Sequence, residues 1–173
     1  MKIKGLLFLT PLILLSVPNF AFAQASQEFT DPAGKYKLTL IGDWRAVSYN
    51  DAVGRSKLEF VYGDRSEGLL KITKEKLNGM NLAGKAREEE QNLRMYRVGF
   101  ERSTNEHFDA GPLDGIRFAF YSADGGRKNA AAFYYLQDGE YVWVLRFTGR
   151  RGVVDTIRNV TDRMARSFKP LEK

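Results

Sequence analysis

The alternation of apolar and polar residues between Leu113 and Thr148 predicts three long β-strands joined by two tight turns. The predicted strands and turns are, in order, 115–123, Asp124-Gly125-Gly126, 128–136, Asp138-Gly139 and 141–148. In the second and third strands both faces are apolar, whereas a sheet with one wet face alternates more cleanly. We therefore expect helices on both faces of this meander. Three consecutive alanines at 130–132 favour the close approach of one of them.

The sequence around the meander predicts further strands and two helices. Alternating residues place strands at 36–40, 44–49, 57–62, 69–77 and 98–103. A first helix is expected over residues 82–95, with Asn81 as its N-cap. A second is expected over 153–167, because apolar residues recur there at helical spacing and form one stripe. Residues 105–107 are interpreted as a polar loop, and 149–152 as a basic turn.

The first 23 residues have the three regions of a secretory signal. Lys2 and Lys4 form the basic start, an apolar core covers 5–17, and Ala21-Phe22-Ala23 supplies the small residues of a cleavage site. An uncleaved anchor is the alternative, but the apolar run is short for a membrane span of about 20 residues and contains Pro11. We expect a signal peptide over 1–23, cleavage near Ala23, one globular domain over 24–173, and a periplasmic or secreted location in a bacterium.

The composition excludes several chemistries and leaves a mild positive charge. The chain has no Cys, which removes disulfides, thiolate metal sites and cysteine nucleophiles. It has 27 Lys+Arg and 21 Asp+Glu, and loss of Lys2 and Lys4 with the signal would leave a net charge of +4. That charge permits weak attraction to an anionic membrane surface or to an acidic partner. We do not expect an exported protein to bind nucleic acid.

His107 is the only histidine, so a catalytic triad or a zinc site would have to use it. Ser103, Ser122 and Asp109 could be nominated for a triad, but neither serine lies in a nucleophile elbow. Glu106, His107 and Asp109 lack the i, i+3 or i, i+4 spacing of familiar metal ligands. The sequence therefore predicts no catalytic residue, no metal and no cofactor.

Two groups of residues are candidates for a partner or ligand surface. Arg146, Arg150 and Arg151 lie close together in sequence at the end of the third meander strand and could form a basic patch. The alternative is that they are ordinary solvated charges at the end of a sheet. A second group is aromatic and could line a pocket between sheet and helix. Its members are Tyr134, Tyr135, Trp143 and Phe147.

The order of elements and several short motifs resemble the PsbP-like family. Phe29-Thr30-Asp31, Tyr36-Lys37-Leu38 and Gly42-Asp43-Trp44 are similar to the opening pattern of that family, which reads Phe-x-Asp, Tyr-x-Leu and Pro-x-Gly/x-Trp. Ile41 and Gly42 depart from it, since Pro and a small residue are usual there. The long meander and a final helix ending in Ser167-Phe168 also fit, so the resemblance spans about residues 28–171.

The resemblance implies an α+β fold, namely an α/β/α sandwich with a central, mostly antiparallel sheet of the Mog/PsbP type. The family includes the extrinsic PsbP subunit of photosystem II, Mog-type Ran-binding proteins and bacterial DcrB-like envelope proteins. Its members are mostly accessory or interaction modules and not enzymes. No functional residue carries over, because the ion-binding and partner-binding positions of the family have no motif match here.

These observations favour an exported, non-catalytic accessory protein of the bacterial envelope. We expect it to be a monomer that binds a protein partner or a membrane complex through an exposed sheet edge or a basic face. The alternative hypothesis is a carrier of a small ligand or lipid in the aromatic pocket. A third hypothesis, a hydrolase that uses His107, has the least support because no site chemistry surrounds that residue.

Overall fold

The computed structural model describes residues 25–171, so the predicted signal segment, Met1–Ala23, lies outside the described residues. Within this range the chain forms ten strands and three helices. In chain order they are β1 (Ser26–Thr30), β2 (Tyr36–Ile41), β3 (Trp44–Asn50), β4 (Ser56–Tyr62), β5 (Gly68–Lys76), α1 (Leu82–Tyr96), β6 (Phe100–Ala110), β7 (Leu113–Asp124), β8 (Arg127–Asp138), β9 (Tyr141–Arg150), α2 (Arg151–Thr156), α3 (Arg158–Ser167) and β10 (Lys169–Pro170).

Seven strands form one antiparallel sheet in the order β3-β4-β5-β9-β8-β7-β6. The predicted meander is confirmed as β7, β8 and β9, and their two tight turns lie between Asp124 and Arg127 and between Asp138 and Tyr141. A second antiparallel sheet has the order β1-β2-β10. The pattern did not predict β1 or β10, because one precedes and the other follows the clear alternation in the sequence.

Helix α1 covers one face of the large sheet. Phe118, Phe120 and Phe133 point to this face, and Leu82 and Ala86 of α1 belong to the same buried cluster. The sequence predicted this helix and the common face of Phe118 and Phe120, because alternate side chains of a strand point to the same side. This layer removes large aromatic rings from water, which is the main contribution to its stability.

The small sheet and helices α2 and α3 cover the other face. Leu38 of the small sheet and Met164 and Phe168 at the end of the chain share a buried cluster with Trp143 and Phe147 of β9. The predicted α+β class and the α/β/α arrangement are therefore confirmed. None of the helices within residues 25–171 has both the length and the apolar character needed to cross a membrane.

The N-terminus of α1 is fixed by a cap and by an ion pair to the sheet. The side-chain oxygen of Asn81 accepts a hydrogen bond from the amide of Gly84 at 2.8 Å, as its predicted role as N-cap requires. One turn later, Lys85 Nζ lies 3.4 Å from a carboxylate oxygen of Glu75 on β5. Helix α1 is thereby held against β5 at its start.

Strand β6 is longer than predicted and includes residues 105–107, which the pattern indicated as a loop. It is an outer strand of the sheet, and only Phe108 and Ala110 among its residues are buried. Polar composition here marks an exposed edge and not a loop. Charged side chains on such an edge also discourage unwanted pairing with another chain.

The predicted basic turn at 149–152 is wrong. Gly149 and Arg150 continue β9, and α2 begins at the next residue, Arg151. Gly149 pairs with Gly68 of β5, and a Cβ atom at position 149 would overlap the carbonyl group of Glu67. This glycine therefore permits the close approach of two strands and does not form a turn.

The single closing helix that the apolar stripe predicted is divided at Ile157. The backbone leaves the helical region there, with φ −91° and ψ 11°. Hydrogen bonds nevertheless run across the division, from the amide of Ile157 to the carbonyl of Val153 and from the amide of Thr161 to the carbonyl of Ile157. The stripe consequently stays on the sheet side, with Ile157 and Met164 buried in one cluster.

Candidate functional site

The three arginines of the predicted basic patch do not form one free cationic surface. Each pairs with a different glutamate, Arg146 with Glu75 at 2.8 Å, Arg150 with Glu67 at 2.5 Å and Arg151 with Glu101 at 2.7 Å. Arg146 lies on the α1 side of the sheet, over the ring of Phe133. Arg151 lies on the opposite side, over the ring of Tyr121. Their charges are compensated by glutamates that lie far away in the chain, which no local sequence pattern indicates.

Arg146 contributes to the attachment of α1. Besides its ion pair with Glu75, it donates a hydrogen bond to Thr73 at 2.7 Å. Burial raises the pKa of Glu75, but hydrogen bonding from Arg146 and the nearby charges of Arg146 and Lys85 lower it overall. Glu75 is therefore ionised at neutral pH and links β9, β5 and α1.

The four residues of the predicted aromatic pocket do not line a common cavity. Tyr134, Trp143 and Phe147 lie on the side of α2 and α3, whereas Tyr135 lies on the side of α1. All four side chains are at most 2% exposed. Tyr134 and Phe147 meet edge to face, with ring centroids 5.5 Å apart. These residues form the core on either side of the sheet.

Tyr134 is the centre of a buried polar network beneath α3. Its hydroxyl donates a hydrogen bond to Asp162 at 2.5 Å and lies 3.1 Å from the hydroxyl of Thr161. Arg117 of β7 donates to the same Tyr134 oxygen at 3.3 Å and to Glu106 at 2.7 Å. Burial raises the pKa of Tyr134, and the bond to Asp162 raises it further. The network ties α3 to the sheet.

Among the described residues, His107 does not belong to a group of side chains that could form a catalytic or metal site. Its side chain is 70% exposed on the outer strand β6, and Nε2 lies 2.8 Å from the equally exposed Asp109. Within residues 25–171, no three His, Cys, Asp or Glu side chains are grouped so that they could hold a metal ion. A solvent-exposed His–Asp pair on a strand gives no enclosed site for a reaction.

The large sheet is split between β4 and β5. These strands pair only at Phe60–Leu70, Val61–Leu69 and Tyr62–Gly68. The neighbouring ladders are complete, since β3 and β4 pair over 44–50 and 56–62, and β5 and β9 pair over 68–76 and 141–149. In the described part of the chain, no ladder therefore joins residues 56–59 of β4 to residues 71–76 of β5. Backbone edges are left without a strand partner inside the sheet.

A cleft of about 670 Å³ occupies this split, and we name it the lysine cleft. Its apolar wall contains Tyr36, Leu58, Ile72 and Trp143. Four lysines stand around it, and its acidic lining residues are Asp31 and Glu59. The lysines are Lys35, Lys57, Lys71 and Lys74. Glu59 is only 3% exposed and its carboxylate lies 2.5 Å from Arg65, so its charge is compensated.

The lysines of the cleft are only weakly engaged by acidic groups. Lys57 and Lys74 lie 3.9 Å from carboxylates of Asp51 and Asp138. Lys35 and Lys71 are exposed and have no acidic partner within 4.0 Å among residues 25–171. Lys74 also lies over the ring of Trp143, 5.1 Å from its centroid. The cleft thus combines free ammonium groups, apolar surface and unpaired strand edges.

This combination suits an extended polypeptide with acidic side chains. An added strand would form main-chain hydrogen bonds with a sheet edge, and pockets beside the edge would select its side chains. Sequence reasoning did not find the cleft, because the alternating pattern gives the face of each residue but not where two strands separate. The only signal was the set of lysines in and near β4 and β5, which looked like ordinary surface charge.

No family model matches the sequence, and no curated protein is significantly similar to it. Solved structures do resemble the fold. A cyanobacterial PsbP protein, CyanoP from Synechocystis, matches with a TM-score of 0.51 and 14% identity over 91% of this chain and 98% of its own. LpqN, involved in cell envelope biogenesis of Mycobacterium tuberculosis, matches with a TM-score of 0.62 and 11% identity over 86% of this chain and 91% of its own.

A third similar structure is a protein of unknown function from Pseudomonas aeruginosa, described as a putative regulator. Its TM-score is 0.53 at 10% identity, over 86% of this chain and 99% of its own. At such low identity these similarities show the fold alone. The chain has a PsbP-like fold, as the resemblance of its sequence motifs predicted.

Proposed function

We propose that this protein is an exported, non-catalytic interaction protein of the bacterial envelope, which holds an extended, acidic segment of a protein partner in the lysine cleft. The observation that carries the proposal is the separation of β4 from β5 after three residue pairs. A gap of this kind leaves strand edges inside the sheet where main-chain hydrogen bonds can be made.

The charge of the cleft supports an acidic partner. Lys35 and Lys71 have no carboxylate within 4.0 Å in the described range, so they would gain a counter-charge on binding. Complementary charge raises the association rate and selects against basic segments. The apolar wall at Ile72 and Trp143 would receive side chains from one face of the bound strand.

The proposed envelope location and the proposed non-catalytic role are supported by other observations. The signal-like segment at Met1–Ala23 indicates export. One protein of similar fold, LpqN, is involved in cell envelope biogenesis. The exposed position of His107 on β6 supports a binding role over hydrolysis. A carrier of small ligands is not favoured, because the predicted pocket aromatics lie in the core on both sides of the sheet.

Site-specific photo-crosslinking in envelope extract tests the proposal. A photoreactive residue at Lys71 is expected to crosslink to one protein, through a segment rich in Asp and Glu. The same probe at Arg87, exposed on the outer side of α1, is the control position. Equal crosslinking at both positions, or crosslinking only to scattered abundant proteins, would count against a specific cleft.

Charge reversal identifies the cause of the binding. With the probe kept at position 71, the double variant Lys35→Glu/Lys57→Glu is expected to lose the crosslink, because both side chains are exposed and lie at the cleft. The matched double variant Arg87→Glu/Arg163→Glu makes the same change in net charge at exposed positions on α1 and α3 that do not line the cleft, and it is expected to keep the crosslink. If both variants behave alike, the cleft has no special role and the proposal fails.

A further inference from the structure

An exposed apolar segment projects from the end of α1. Met95, Tyr96 and Val98 are 64%, 80% and 67% exposed. Among the large apolar side chains of the described residues, only Val53 is exposed to a similar degree, at 72%, and it lies alone in the loop between β3 and β4. Isolated apolar residues on a surface are common, but a cluster of three within four positions marks a contact surface.

Cationic side chains lie beside this segment. A groove of about 670 Å³ borders the end of α1, and it contains Arg97, Arg127 and Lys128. None of these three has an acidic partner within 4.0 Å among residues 25–171. Asp124, the last residue of β7, pairs with Arg127 of β8, but none of the described residues that line the groove is acidic. The local charge is therefore positive.

The backbone holds the apolar segment and the cations together. The amide of Ala123 donates a hydrogen bond to the carbonyl of Gly99 at 2.9 Å. Gly99 has φ +65°, and a Cβ atom at this position would overlap the backbone of Ala123. Arg97 Nε also lies 3.4 Å from the hydroxyl of Ser122. The end of α1 is thus fixed beside the turn between β7 and β8, which carries Arg127.

We propose that Met95, Tyr96 and Val98, with Arg97, Arg127 and Lys128, form a docking surface for an anionic lipid bilayer. Apolar side chains would enter the boundary between headgroups and acyl chains, and the cations would contact anionic headgroups. Tyrosine suits that boundary because its ring is apolar and its hydroxyl is polar. Three exposed apolar side chains on one segment, with cations beside them, match the apolar and anionic layers of such a bilayer, and a protein partner is the alternative outcome of the test below.

This surface is separate from the lysine cleft. The groove lies where β5 begins at Gly68, beside Gly149 of β9, whereas the cleft opens along Lys71 and Lys74 toward the other end of β5. The protein could therefore bind a bilayer and a protein segment at the same time. Its membrane docking does not depend on the proposed function of the cleft.

Vesicle binding by the protein purified from its own envelope tests the inference. Co-flotation with phosphatidylglycerol–phosphatidylethanolamine vesicles is expected, with much weaker binding to phosphatidylcholine vesicles and weakening in high salt. Arg97→Glu/Lys128→Glu is expected to lower the affinity by at least about 25-fold, since one cation near an anionic surface contributes about fivefold. The variant Arg87→Glu/Lys169→Glu should retain binding. Equal binding to both kinds of vesicle would overturn the proposal.

Fluorescence gives a second readout that is specific to the segment. Trp44 and Trp143 are 4% and 2% exposed, so they should report little of events at the surface. A tryptophan introduced by Tyr96→Trp is expected to shift to shorter wavelength with anionic vesicles and to be quenched by brominated lipids. A tryptophan introduced by Val53→Trp should not respond. No response at position 96, or photo-crosslinking there to a protein instead of lipid, would refute bilayer docking.

Discussion

Tyr134 and Tyr135 are adjacent on β8, equally buried, and point to opposite sides of the sheet. Their hydroxyl groups differ in one respect. The Tyr134 hydroxyl donates to the carboxylate of Asp162, whereas the Tyr135 hydroxyl has no hydrogen-bond partner among the described residues. Replacing each tyrosine with phenylalanine removes one oxygen atom and leaves the ring, so the two variants isolate the value of the hydroxyl in the two environments.

We expect Tyr134→Phe to lower the free energy of unfolding by about 2–3 kcal/mol, because hydrogen bonds to charged groups contribute about 1.5–3 kcal/mol and weaker contacts are lost as well. In a chain of this size that loss lowers Tm by roughly 4–12 °C. Tyr135→Phe is expected to be neutral or to stabilise by up to about 1 kcal/mol, because it removes an unpaired buried polar atom.

Urea unfolding followed by circular dichroism measures both values, provided that the dependence of the free energy on urea is unchanged. Equal losses of unfolding free energy in the two variants, or a loss above about 1 kcal/mol for Tyr135→Phe, would refute the reasoning that only the Tyr134 hydroxyl is hydrogen-bonded. Tyr134→Phe should also leave crosslinking at Lys71 intact, since Tyr134 lies in the core and not at the cleft.

Two further predictions concern a glycine and an ion pair. Gly99→Ala should destabilise the protein by at least about 2 kcal/mol, because a left-handed backbone and an overlap with Ala123 both oppose the new Cβ atom. Gly111 also has φ +65° but faces open space, so Gly111→Ala is expected to lower the free energy of unfolding by only about 1 kcal/mol in the same urea unfolding assay. Equal losses in the two variants would contradict the close approach at Gly99. The variant Glu75→Gln should be less stable than the natural chain at pH 7. This difference in unfolding free energy should shrink as the pH falls below 4.5, the usual pKa of a glutamate, because the folded state holds the pKa of Glu75 below that value. A difference that stays constant between neutral and acid pH would show that the ionised form of Glu75 is not stabilised by folding.

The sequence was sufficient to predict the faces of the central strands. Alternation within the second meander strand put Phe133 and Tyr135 on one face and Tyr134 on the other, and the structure places them on opposite sides of the sheet in the same way. Such predictions succeed because the direction of a side chain depends only on its position along its own strand. The N-cap at Asn81 succeeded for the same reason, since the hydrogen bond it makes spans three residues.

The surfaces were harder to predict, because their properties depend on residues far apart in the chain. Arg146 and Glu75 are separated by 71 positions, and Arg150 and Glu67 by 83, so the sequence could not show that these arginines are compensated. The lysine cleft depends on where β4 stops pairing with β5, which no local pattern specifies. The extended β6 was missed because an exposed edge strand and a polar loop have similar composition.

The split sheet also has a consequence for local stability. The outer halves of β3 and β4 are largely exposed and connect to the rest of the sheet through the three residue pairs at Phe60–Tyr62. A unit with few buried contacts opens at a lower free energy than the core to which it is attached. The hairpin formed by the outer halves of β3 and β4 can therefore unfold locally as a small cooperative unit while Phe60 and Leu70 stay buried. The width of the cleft would then be set by a local opening equilibrium, and a bound strand would shift that equilibrium toward closure.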